Sequence, residues 1–188
     1  EMLRSLVGSE MCIRDSRTVG ESIIEGLLNF GMPREQALKR AGETLTVVGL
    51  SPDAMQRYPH QFSGGQRQRI CIARALVMDP EILVADEAVS ALDVSVQAQV
   101  LELLEQVRQR TGVGVLFITH DLRVAAQICD TIMVMQRGKV VETGTAETVL
   151  TDPRHEYTRA LIDAAPGRDW DFRNFRPVAA GQTPVATA

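Results

Sequence analysis

Aromatic residues are scarce: Phe, Trp and Tyr together make 4% of the 188 residues, too few for a platform on which single-stranded bases stack. An excess of positive charge is missing as well. The 20 Lys and Arg against 24 Asp and Glu leave a formal net charge of −4, so bulk electrostatics gives no reason to expect a nucleic-acid partner. No apolar run approaches a bilayer span; the longest, residues 82–85 and 113–118, are strand-sized. Cysteine is limited to Cys12, Cys71 and Cys129, with neither metal-ligand spacing nor a disulfide framework, which favours a reducing compartment, the cytoplasm. Lysine occurs only at Lys39 and Lys139. A phosphate loop of the form Gly-x-x-x-x-Gly-Lys-Ser/Thr fits neither: Leu38 precedes the first, and the second has Val140 after it and Met133 where the first glycine belongs.

What is present is an ordinary globular composition, 45% hydrophobic and 23% charged, with length enough for one domain and a sizeable core. Residues 6–15, Leu-Val-Gly-Ser-Glu-Met-Cys-Ile-Arg-Asp, resemble one reading frame of a transposon-end sequencing adapter, and Ser16 fits its continuation. On that reading residues 1–16, Cys12 included, are set aside from the fold, and the reading frame was cut upstream of Arg17.

From Arg17 onward the pattern is coherent. Ile23, Ile24, Leu27 and Leu28 predict a helix over 18–30, ended by Gly31 and Pro33. A second is expected over 33–48, with proline in its first turn. Residues 51–62 are polar and turn-rich, and Ser63 opens a helix to about Met78, stopped at Asp79-Pro80. A strand over 82–85 leads into a helix over 94–110 whose buried face is marked by Val96, Val100, Leu104 and Val107. A strand over 113–119, a helix over 121–129, a hairpin around Arg137-Gly138 and helices over 146–150 and 155–164 complete the order. Past Pro166 the pattern dissolves into a tail expected to be flexible. The region before residue 49 reads as all helical. The alternation after it indicates an α/β layer with a parallel sheet.

Four local features carry chemistry. Phe62-Ser63-Gly64-Gly65-Gln66 lies at a loop-to-helix junction, where two glycines let backbone approach a bulky anion and unpaired helix-start N–H groups favour negative charge. By itself Ser63 is also a plain helix cap. Asp86-Glu87 closes the apolar strand 82–85. Adjacent carboxylates at a buried strand end call for a cation or water, Asp86 for magnesium and Glu87 to polarise a water; standing alone, such a pair is a solvated strand end. Asp93, ending Ser90-Ala91-Leu92-Asp93, is alone only a helix cap. His120, ending Ile118-Thr119-His120, sits at a strand end where an imidazole reaches a terminal phosphate; a lone histidine there is more often structural.

In this order, from about Arg17 to Pro166, the chain resembles the ATP-binding-cassette ATPases. The resemblance implies that Ser63, Gly64, Gly65 and Gln66 form the signature loop, Asp86 the metal-binding end of Walker B, Glu87 the catalytic glutamate, Asp93 the D-loop aspartate and His120 the switch histidine. It implies a P-loop-NTPase-type α/β fold, present in part because the Walker A strand and loop are not found. ATP and Mg2+ are the implied cofactors. Residues 58–69, 90–99 and 152–161 are similar to the dipeptide/oligopeptide importer branch, which also serves nickel and glutathione. Phe62 stands for the commoner leucine, and Ala88-Val89 for the usual Pro-Thr. The cysteine cluster of some relatives is absent, so no iron–sulfur centre is expected.

The implied organisation is a helical signature subdomain over 17–80, an α/β core over 81–145, an importer-branch motif over 146–166 and a tail over 167–188. The implied partners are a second cassette, identical or paralogous, two transmembrane permease subunits and, indirectly, an extracytoplasmic substrate-binding protein, with no nucleic acid. The implied location is the cytoplasmic face of the inner or plasma membrane. Without Walker A the 188-residue polypeptide is expected neither to hydrolyse ATP nor to bind it tightly, and part of the sheet is expected to be uncovered. A soluble cassette ATPase of DNA repair or translation, and a non-catalytic interaction protein, are the alternatives.

Overall fold

The computed structural model describes residues 4–6, 16–90 and 92–164. Cys12, the remainder of the adapter-like stretch and the expected tail lie outside the described residues, as does Ala91. The chain divides into two compact units, Glu1–Ile118 and Thr119–Ala188.

In the first unit, helix α1 (Val19–Asn29) starts with a reciprocal cap: Thr18 Oγ1 accepts from the Glu21 N–H, and Glu21 Oε2 accepts from the Thr18 N–H. Its apolar face, Val19, Ile23, Ile24 and Leu27, is buried. Helix α2 (Arg34–Val47) follows Pro33 and buries Ala37, Ala41 and Leu45. Two short 3-10 turns, Pro52–Gln56 and Pro59–Gln61, then lead to α3 (Gly64–Leu76). Helices α1, α2 and α3 pack on one another. Gly49 is the joint between α2 and the next turn. Its φ is +74°, and a Cβ there would lie 2.8 Å from the Arg69 guanidinium, which donates to the Val48 carbonyl at 2.9 Å.

The sheet of this unit runs β1 (Arg4–Leu6), β2 (Ile82–Asp86), β3 (Gly114–Ile118), all parallel, with α4 (Val94–Thr111) between β2 and β3. Leu83 and Ala85 of β2 are buried, as are Val100, Leu101, Leu103, Leu104 and Val107 of α4; Val96 is only half-buried. The expectation of an all-helical region before residue 49 is corrected by β1, which registers Arg4 with Leu83 and Leu6 with Ala85. An open strand edge binds extended backbone through N–H and C=O groups, so a three-residue strand needs no period-2 pattern to announce it. β3 reads as a continuous apolar strand, yet Leu116 and Ile118 are exposed and Val115 and Phe117 half-buried.

The second unit is built on a hairpin of β4 (Thr131–Gln136) and β5 (Lys139–Thr145), antiparallel, with a register shift at Val134/Met135. Arg137 and Gly138 both take positive φ, +50° and +77°, as a two-residue hairpin turn of this hand requires. Ile132 and Val134 face a core shared with Ala125 and Ala126 of α5 (Leu122–Ile128) and Val149 and Leu150 of α6 (Ala146–Thr151). Met133, Met135 and Val140 are exposed. Helix α7 (Glu156–Ala164) begins at a carboxylate: Glu142 Oε1 accepts from the Arg154 N–H at 2.7 Å and Oε2 from the His155 N–H at 3.1 Å. The Arg154 N–H, foremost, holds the Glu142 carboxyl below the usual range.

Candidate functional site

Ser63 is the N-cap of α3, and its extended backbone (φ −66°, ψ 163°) turns the chain into the helix. Its Oγ accepts from the Gln66 N–H at 3.4 Å, while Gln66 Oε1 folds back to accept from the Ser63 N–H at 3.1 Å. The first intrahelical bond is Arg67 N–H to Ser63 O. Of the helix-start donors, the N–H groups of Gly64 and Gly65 are therefore the ones left for an external acceptor. Ser63, Gly64 and Gln66 are exposed, and Gly65 is half-buried. The Ser-x-x-Gln spacing is a capping-box signal in the sequence. It gives Gln66 a second task beyond facing a ligand.

The approach to Ser63 is bound as firmly as the helix itself. The Tyr58 N–H donates to Gln61 Oε1 at 2.8 Å, and the Phe62 N–H donates to the Pro59 carbonyl at 3.2 Å. Arg67 Nε donates to the Pro59 and Phe62 carbonyls at 3.0 and 3.2 Å. The Arg57 guanidinium lies 4.2 Å from the centre of the buried Phe62 ring and donates to the Gln61 carbonyl. The Tyr58 and His60 rings stack at 5.7 Å. Sequence reading missed Arg57 and Arg67. Their carbonyl partners are set by how the turn folds back, which no local period encodes.

On its other side the glycine pair meets the segment that opens α4. A Cβ on Gly64 would lie 3.9 Å from Leu92, and one on Gly65 only 2.7 Å from Val96 Cγ1. The first is an ordinary van der Waals contact; the second is a clash, so a side chain at Gly65 would crowd α4. Asp93 precedes α4, but its carboxylate makes no capping hydrogen bond; only its carbonyl enters the helix, accepting from the Gln97 N–H at 2.8 Å. The simple helix-cap reading of that side chain is thus set aside.

Asp86 ends β2 level with Ile118 of β3, and Glu87 follows in a left-handed conformation, φ +47°. The Glu87 N–H donates to the Ile118 carbonyl at 2.9 Å, and its own carbonyl accepts from the Ser90 N–H and hydroxyl. Both acids are exposed, which corrects the expectation of a buried pair: β2 alternates between buried and open positions, and it ends on an open one. Among the described residues no group of three or more His, Cys, Asp or Glu could hold a metal by itself. Two adjacent carboxylates nevertheless suit magnesium, which keeps waters and takes phosphate oxygens as ligands.

His120 belongs to the second unit and is exposed. Beside it, Thr119 Oγ1 accepts from the Asp121 N–H at 3.0 Å, and Asp121 Oδ1 caps α5 through the Arg123 N–H at 2.9 Å. The Arg123 guanidinium, held against both Asp121 oxygens, keeps that carboxyl below the usual range. Cys71 is buried and Cys129 half-buried, with no disulfide between them; burial pushes the Cys129 thiol up.

The family model for ABC transporters matches residues 4–90. The chain is 47% identical over 169 residues to the dipeptide transport ATP-binding protein DppF of Escherichia coli, covering 89% of this chain and 51% of that one. It is 46% identical over 163 residues to the oligopeptide transport ATP-binding protein OppF of the same organism, covering 86% and 49%. Among solved structures, CbiO1 of Clostridium perfringens, part of the ABC transporter complex CbiONQ, superposes with a TM-score of 0.67 at 27% identity, over 74% of this chain and 55% of that one. The chain spans about half the length of these curated relatives. With its parallel sheet and the helix that begins at Ser63, the chain carries part of an ATP-binding cassette of the ABC transporter family.

Proposed function

We propose that this chain is part of the ATP-driven motor subunit of an importer for peptides or related small solutes. The observation that carries the reading is the start of α3, where two adjacent glycine N–H groups stand open beside the Ser63 hydroxyl. That donor set fits a terminal phosphate: N–H groups at a helix start, no Cβ in the way, and the positive end of the helix dipole. Ser63, Gly64, Gly65 and Gln66 hold the phosphate end of ATP, and Asp93 lies with them at the start of α4. Asp86 is a ligand for Mg2+, which when bound neutralises phosphate charge. Glu87 orients and deprotonates the attacking water, and His120 contacts the terminal phosphate.

Residues 17–80 present the signature loop, residues 81–145 carry Asp86, Glu87 and His120, and residues 146–166 form the importer-branch motif. The relatives' names for dipeptide and oligopeptide transport support the substrate class. Two permease subunits and a second cassette are the partners, at the cytoplasmic face of the membrane. No described helix is long and apolar enough to cross it. Because no Gly-x-x-x-x-Gly-Lys-Ser/Thr motif occurs in the 188 residues, the signature loop works on nucleotide held by a phosphate loop elsewhere in the assembly.

The test is a chimera in which residues 17–166 replace the matching segment of one cassette subunit in a dipeptide importer. ATP-driven dipeptide uptake, lost on Glu87→Gln, is expected. An assembled complex that hydrolyses ATP equally well with Glu87→Gln would refute the assignment. The purified 188-residue chain alone is expected to show no turnover.

A further inference from the structure

Three side chains brace the approach to the signature loop. Phe62, where leucine is commoner, supplies a ring, and Arg57 lies over it at 4.2 Å. Arg57 also donates to the Gln61 carbonyl. Arg67, one turn into α3, reaches back with Nε to the Pro59 and Phe62 carbonyls. Two guanidinium groups thus bind three carbonyls within the four residues before Ser63, one from the loop side and one from the helix side. A turn that otherwise relies on short 3-10 bonds is welded to the helix it precedes.

We propose that Arg57 and Arg67 are positioning residues that set the direction of the Gly64 and Gly65 N–H groups, with Arg67 acting through its Nε–H and Arg57 through the face of Phe62. The argument rests on the reading that these amides meet phosphate. Both arginines act on backbone carbonyls of the loop. Their effect is to keep the peptide plane between Phe62 and Ser63 from rotating, since that carbonyl is pinned at 3.2 Å by Arg67. A rotation there would swing the Ser63 cap and the two amides that follow. The Phe62 ring gives Arg57 a flat, electron-rich face that leucine lacks.

The chemistry makes a sharp test. Nε2 of glutamine stands the same number of bonds from Cα as Nε of arginine, so Arg67→Gln retains a donor at the right place without the charge. Arg67→Lys keeps the charge but puts a methylene there, and Arg67→Met keeps neither. Amide hydrogen exchange by NMR on the 188-residue chain is the readout. Arg67→Met is expected to speed exchange of the Phe62 and Gln66 amides about 10-fold, with Ile72 to Leu76 of α3 unchanged; Arg67→Gln stays within about two-fold of the parent. Phe62→Leu is expected to speed exchange of Phe62's neighbours Gln61 and Ser63 about three-fold; Arg57→Met in that background still removes the donor to the Gln61 carbonyl, but adds less than it does in the parent, the shortfall being the part carried by the ring. Rescue by lysine and not by glutamine, or equal exchange in all variants, would overturn the proposal. Should Arg67→Met fail to fold, the glutamine–lysine comparison decides.

A titration with inorganic phosphate, following the Gly64 and Gly65 amide shifts, bears on both readings. Shifts in the parent and Arg67→Gln that are at least halved in Arg67→Lys support both. Because the chain alone is not expected to hold nucleotide tightly, the nucleotide reading is decided in the chimeric importer: ATP hydrolysis that survives Glu87→Gln removes it and leaves the clamp standing.

Discussion

Gly65→Ala isolates the contact between the signature helix and α4. The new Cβ would sit 2.7 Å from Val96 Cγ1, far inside van der Waals distance. Valine in a helix has one strongly preferred rotamer, so the methyl cannot simply swing aside, and overpacking of this size costs about 1–3 kcal/mol. Against this, alanine gains about 1 kcal/mol over glycine in a helix. The net expectation is a loss of about 1 kcal/mol. With a urea m-value of about 2 kcal/mol/M, that is a midpoint shift of about 0.5 M. Val96→Ala removes the obstructing methyls, so the double variant should regain the whole helix-propensity gain. A double-mutant cycle by urea unfolding should therefore give a favourable coupling of about 1–2 kcal/mol. Should Gly65→Ala prove more stable than the parent while Val96 is intact, or the coupling vanish, the contact is not the reason for glycine at 65.

The unused carboxylate of Asp93 gives a second expectation: Asp93→Asn should change stability in urea by less than about 0.5 kcal/mol while lowering ATP turnover of the chimeric importer. The third concerns Asp121, whose folded-state pKa is depressed by Arg123. A depressed carboxylate contributes stability that is fully present above the unfolded value, about 3.9, and is lost as pH falls through the folded value. Thermal unfolding of the chain between about pH 5 and about pH 2.5 should thus show a loss on acidification that Asp121→Asn flattens.

Local signals carried most of the elements. Apolar spacing and caps placed α1, α2 and α4 to within a residue or two, and Arg137-Gly138 marked the hairpin because its turn demands positive φ at both positions. Signals that depend on a distant neighbour were silent. β1 exists because β2 offers an edge, not because Arg4, Ser5 and Leu6 alternate. The exposure of Asp86 and Glu87 follows from where the sheet ends, and the reach of Arg67 to Pro59 from how a turn folds back. In the candidate site the residue types and their order were legible, and Gln66 as a reciprocal cap was legible in principle from Ser-x-x-Gln. The idle side chain of Asp93 was not, because a helix-start aspartate reads as a cap whether or not it caps.

Glu87 holds a backbone conformation, φ +47°, that disfavours every side chain with a Cβ by about 1–2 kcal/mol. A laboratory selection for heat resistance alone would find this residue early, since glycine there relieves the strain. The hardest descendants of this chain under such a regime would be those that had given up their acid.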